Sequence, residues 1–171
     1  MALTMYSLSI PFFDAMLGNL DHLLDKAQAF AESKKIDPAV LLQVRLAPDM
    51  FPLSRQVQIA CDTGKMAISR ITGVEAPSFP DTETTIAELK QRIRKTRDFL
   101  ASVPASKIDG TEAKDISFPA GGATRTMTGE NYLRHWVLPN FFFHVTTAYD
   151  LLRHNGVPLA KRDYLLGAAA A

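Results

Sequence analysis

Residues 135–144 read His135-Trp136-Val137-Leu138-Pro139-Asn140-Phe141-Phe142-Phe143-His144. A histidine opens and closes the stretch, a proline sits between them, and three phenylalanines run together. Helix-forming sequence surrounds it from Gly129 to His154, with Thr128 as the cap and Gly156 as the stop. On a helix turning about 100° per residue, Leu133, Val137, Asn140, Phe141, Ala148 and Leu151 fall within about 60° of His144. His135 falls about 180° away and His154 about 80° away, so the histidines do not share a face. The stretch predicts a core-facing helix with one inward histidine, His144, and Asn140 one turn before it. Pro139 cannot donate to the carbonyl of His135. That defect costs about 3 kcal/mol and predicts a kink.

Working outward, three more long helices precede this one. The first spans about residues 4–35. Phe13, Met16, Leu17, Leu20, Leu23, Leu24, Ala27 and Ala31 make its apolar stripe, Pro11 starts or kinks it, and His22 lies on the outer face. Asp37-Pro38 opens a short helical turn, and the two prolines of 45–52 mark a connection. The next helix runs from Pro52 to Thr72 and stops at Gly73. Its inward stripe reads Leu53, Gln56, Ile59, Ala60, Thr63, Ala67 and Ile71, which places the Gln56 amide in mid-stripe. Thr85 and Glu88 form a capping box for a third helix that ends before Pro104. Between it and the last helix, the runs flanking Gly121-Gly122 predict a small hairpin or extended loop. The expected fold is all-α: a four-helix bundle with a short extended or hairpin insertion between helices 3 and 4. Residues 1–171 form one domain, with residues 167–171 a frayed tail.

Composition excludes several classes of function. Among 171 residues, 47% are apolar, 22% are charged and the net charge is +1, so no general pull toward nucleic acid or anionic membrane is expected. The basic run Lys90–Lys95 alternates with apolar positions and reads as a solvated helix face. The single cysteine, Cys61, permits no internal disulfide and fits a reducing cytoplasm. No apolar run approaches the roughly 20 residues of a membrane span, and Asp14 interrupts an amino terminus that lacks a basic leader.

Asn140 and His144 face a core to which Gln56 also points. A buried imidazole and buried amides must be hydrogen-bonded, since each unsatisfied group costs about 1–3 kcal/mol. Two readings stay open: a self-contained polar layer that fixes helix pairing, or a small-molecule pocket lined by Gln56, Asn140 and His144. In the second, His144 is the candidate general base or hydrogen-bonding anchor, because an ordinary imidazole titrates near neutral pH. Tyr132 and Trp136 flank the inward face of the last helix and read as packing.

Four segments, RLAPDMFPLSRQVQIACD, GVEAPSFPDTETT, MTGENYL and FHVTTAYDLLRHNGV, carry a resemblance over nearly the whole chain. They resemble a bacterial domain-of-unknown-function family, numbered nineteen ninety-three, grouped with the DinB-like superfamily of four-helix bundles. The resemblance implies a homodimer and relatives that include metal-dependent thiol transferases. It also implies a three-histidine metal site, with one ligand on the second helix and an HxxxH pair on the fourth. Here His144 matches the last histidine and Asn140 replaces the one before it. Gln56, or else Thr63, stands at the second-helix position. One imidazole with two amides is a poor transition-metal site, so no cofactor is expected. The alternatives are a divalent metal held by His144 with Asn140 and Gln56 in a transferase-like enzyme, or a non-catalytic stress or interaction protein.

Overall fold

The computed structural model describes residues 3–170. Its helices are α1 (Ile10–Lys34), α2 (Ala39–Leu42), α3 (Leu53–Thr72), α4 (Ile86–Ala101), α5 (Gly129–Asn131), α6 (Leu138–His154) and α7 (Lys161–Leu166). Strands β1 (Asp115–Ala120) and β2 (Ala123–Thr128) lie between α4 and α5, and a π-helical stretch, Tyr132–Val137, joins α5 to α6. The described residues are mostly helical with one two-stranded sheet at the expected insertion, so the protein is not strictly all-α. The insertion pairs as an antiparallel hairpin from Asp115 opposite Thr128 to Ala120 opposite Ala123. Gly121 and Gly122 supply the two positive φ angles, 62° and 79°, that its tight turn requires. Ile116 and Phe118 face inward and anchor it.

The four long helices form a ring in which α1 packs on α4, α4 on α3, α3 on α6 and α6 on α1. Inside it lie Phe13, Leu17, Leu20 and Leu24 of α1, Val57 and Ile68 of α3, Leu89 and Ile93 of α4, and Phe141 and Leu151 of α6. Each large apolar side chain so buried contributes about 1.5–3 kcal/mol. Phe13 meets Phe141 edge-on at 4.9 Å. The expected cap of α4 is present: Thr85 Oγ1 accepts from Glu88 N–H and Glu88 Oε2 accepts from Thr85 N–H. Ser9, by contrast, donates back to the Met5 carbonyl instead of capping α1.

Pro139 is accommodated by a register shift. Leu138 N–H donates to the carbonyl of Leu133, five residues back, at the end of the π-helical stretch. A π turn holds one residue more than an α turn, so a carbonyl is left over where α register resumes. Pro139 itself donates no bond, and the wider π turn lies immediately before it in the helix.

Residues after Gly156 return along α1. Asn19 Nδ2 donates to the Tyr164 carbonyl at 2.8 Å, and Lys26 pairs with Asp163 at 2.8 Å. Gly167 has φ 55°, and a Cβ there would lie 2.3 Å from Asn19 Oδ1, so only glycine fits this approach. Residues 167–170, expected as a frayed tail, instead form a short 3₁₀ turn against α1. Ala171 lies outside the described residues.

One buried network has no counterpart in the sequence reading. Arg92, placed on a solvated face by the pattern, is 3% exposed. Its guanidinium reaches Asp62, Asp81 and Glu83, each at 2.9 Å. Lys65 joins through Asp62 at 3.0 Å and the Pro77 carbonyl at 2.9 Å, with Phe79 beneath its ammonium at 4.1 Å. Gln58 donates to Glu83 at 2.9 Å, and Arg55 pairs with Asp81. Burial opposes the charge on Arg92, but Glu83 and Asp62 more than offset it and hold the guanidinium protonated. The network fastens the 73–85 loop across α3 and α4.

Candidate functional site

The opposite face of α3 presents Gln56, Thr63 and Arg70, spaced seven residues apart and so roughly in line. The π-helical stretch and α6 run antiparallel beside them. Three polar pairs cross the seam: Gln56 with His144, Thr63 with Asn140, and Arg70 with Tyr132.

The first pair is the most enclosed, with Gln56 1% and His144 8% exposed. His144 Nδ1 lies 2.7 Å from Gln56 Oε1, and Gln56 Nε2 donates to the Phe51 carbonyl at 3.0 Å. The carbonyl can only accept, which commits the amide nitrogen to it and turns the amide oxygen to the imidazole. Nδ1 must then carry the proton and Nε2 the lone pair. Burial, helped by the nearby Arg55 charge, pulls the imidazole pKa down to about 4. The expectation of a histidine titrating near neutral pH is therefore corrected: His144 is a neutral donor to Gln56.

Asn140 does not join this pair. Its Nδ2 donates to Thr63 Oγ1 at 3.0 Å, a rung further along the seam. Positions 140 and 144 differ by about 40° around the helix, enough to give the two side chains different neighbours on α3. The predicted triad of Gln56, Asn140 and His144 is thus a bonded pair plus a separate residue. His135 and His154 are exposed, as the helical wheel requires. His22, expected on the outside, is half-buried, 3.6 Å from Asp163.

In the third pair Arg70 Nη1 donates to the Tyr132 hydroxyl at 2.9 Å. Tyr132 is 1% exposed, and burial raises its pKa while Arg70 opposes the shift. Phe118 of the hairpin packs on Tyr132 at 4.7 Å and on Trp136 at 5.1 Å. Over the second and third pairs lies a groove of about 240 Å³, walled by Thr63, Met66 and Arg70 on one side and by Trp136, Asn140 and Pro119 on the other. Gln56 and His144 do not line it. Sequence reading passed over Arg70, Met66 and Pro119 and took Tyr132 and Trp136 as packing alone. The seven-residue spacing of Gln56, Thr63 and Arg70 was the available signal.

The donor set does not fit a transition metal. Gln56 Oε1 is taken by the imidazole N–H, Asn140 is turned to Thr63, and His144 Nε2 is the one strong donor left. Among the described residues, no three His, Cys, Asp or Glu side chains converge to hold a metal ion. Nor is any helix there long and apolar enough to cross a membrane.

Fold and seam together define a helical-bundle-like protein whose polar residues lie between its second and last long helices. Residues 5–165 match the family model described as Domain of unknown function (DUF1993), and the chain belongs to that family. It is also similar to a DinB family member protein from Shewanella denitrificans, known from a crystal structure. The two are 46% identical and superpose with a TM-score of 0.88 over 94% of this chain and 90% of that one. The fold is therefore DinB-like. No curated protein matches the sequence.

Proposed function

We propose that this protein binds a small molecule in the groove above the Thr63–Asn140 and Arg70–Tyr132 pairs. The supporting observation is a built cleft with unused polar valences. Asn140 spends its Nδ2 on Thr63, while its Oδ1 takes no protein donor among the described residues. About 240 Å³ suits a fragment-sized molecule with an apolar body against Trp136 and Met66 and a hydrogen-bonding group at Asn140. The Gln56–His144 pair then has a positioning role: it locks α3 to α6 one rung away from the ligand. A π-helical stretch beside the groove supports the reading, because such turns recur where a helix is shaped around a functional site.

Trp136 is the chain's one tryptophan, so its indole N–H reports on the groove without ambiguity. A fragment screen read by the indole resonance of ¹⁵N-labelled protein should find aromatic fragments that move it and lose their effect in Asn140→Ala. A screen in which fragments move the core resonances around His144 but never the indole sinks this reading. It would return the pocket to the buried pair.

A further inference from the structure

Resting on that reading of the groove, we infer that its ligand carries a carboxylate, held by Arg70. Arg70 is half-buried, and one of its N–H groups is fixed on a phenol that is itself buried and packed, tilted, against Phe118. Its other guanidinium N–H groups have no protein acceptor among the described residues, and no carboxylate there lies within ion-pair distance of it. Asp62, the one acid at the groove, is already committed to Lys65 and Arg92 through the same oxygen. The groove thus contains a pre-aimed, uncompensated cation. A planar guanidinium with parallel N–H groups matches a carboxylate in two-pronged fashion.

The far end of the groove narrows the class further. Asn140 Oδ1 accepts, so it selects a hydroxyl or N–H on the ligand. Thr63 and Arg70 are two helical turns apart, about 10 Å along α3. Trp136 and Met66 between them call for an apolar or aromatic middle. The ligand class is an elongated aromatic or aliphatic monocarboxylic acid with a hydrogen-bond donor at its other end.

The test titrates 4-hydroxyphenylacetate and its neutral isostere 4-hydroxyphenylacetamide into ¹⁵N-labelled full-length protein, read at the Trp136 indole. The acid should bind at least tenfold more tightly than the amide. Arg70→Gln should remove that preference, weakening the acid far more than the amide. Arg70→Lys should restore part of it, since charge returns without the fork. Tyr132→Phe should weaken the acid several-fold by freeing the guanidinium. Equal affinities for the two probes, or a preference that survives in Arg70→Gln, would overturn the carboxylate inference while the groove reading stands. If neither probe at 10 mM moves the indole resonance, both fall. Measurable amide binding in Arg70→Gln, with the folded ¹⁵N spectrum retained, excludes misfolding as the cause of a lost preference.

Discussion

Helix α3 carries two polar seams, and they are built on opposite principles. On the α4 side, Arg92 and Lys65 meet Asp62, Asp81 and Glu83, and each Arg92 Nη is bonded to protein oxygens. The exception is Arg92 Nε, which is buried without a partner. On the α6 side the pairs are single bonds, two of them between neutral groups, and part of each outer pair's capacity stays unused. A seam of saturated charges can hold a loop but has little left to offer a ligand. A seam of single bonds can align two helices and still present free valences along a groove. That contrast, more than any one residue, is why we propose recognition on the α6 side and scaffolding on the α4 side.

The comparison is tested most severely at Arg92. Replacing it with methionine keeps much of the volume, leaves Glu83 without a cation, and leaves Asp62 and Asp81 with only Lys65 and Arg55. Removing one partner of a buried ionic cluster costs about 3–5 kcal/mol. Asp62 and Asp81 keep part of their hydration, with side chains 33% and 41% exposed, which favours the lower end of that range. Urea denaturation of Arg92→Met should therefore show a loss of about 3 kcal/mol, with the 73–85 loop becoming protease-sensitive. A loss below about 1 kcal/mol would place the cluster with ordinary surface ion pairs and erase the contrast.

The buried rung of the α6 seam should respond to pH. His144 has its pKa pulled from 6.5 to about 4 in the folded chain. Between those values the unfolded chain binds a proton that the folded one refuses. The stabilisation is therefore complete above the unfolded pKa, is lost as pH falls through this window, and levels off below the folded pKa. The full difference is on the order of 3 kcal/mol. His144→Leu should cost about 1–3 kcal/mol at pH 7, because it strands the Gln56 oxygen. In urea titrations from pH 7 to pH 4.5 it should also flatten the slope. A variant that keeps the wild-type slope would show that another group titrates there.

These two seams were unequally legible. The inward placement of Gln56 and His144 follows from helical periodicity alone, because both lie within apolar stripes that only a core can absorb. The capping box at Thr85 and the Gly121-Gly122 turn were also readable, since each is a local device whose residues sit side by side in sequence. Arg92 was not readable. It stands next to Ile93 in a basic run, and its burial depends on carboxylates brought over by a loop, which no period encodes. Nor could the wheel separate Asn140 from His144. A 3.6-residue repeat names a face, whereas the choice between Thr63 and Gln56 as partner is made by the second helix. Pro139 announced a defect, but the π register that takes it up begins upstream, at Tyr132, where the sequence carries no mark.

The smallest effect is expected at the open rung, and it sharpens the contrast from the other side. Thr63→Val removes the acceptor of Asn140 Nδ2 while keeping the β-branched shape. Were this pair as enclosed as Gln56–His144, the stranded amide would cost about 1–3 kcal/mol. Both residues are only half-buried and border the groove, so water can take the place of the lost hydroxyl. The expected loss is about 0.5 kcal/mol in urea denaturation, a neutral hydrogen bond largely replaced by solvent. In a double-mutant cycle with Asn140→Ala the coupling should be correspondingly small. A coupling above about 1.5 kcal/mol would mean that the rung is closed to water. It would then be structural like its neighbour, and the groove would end short of Asn140.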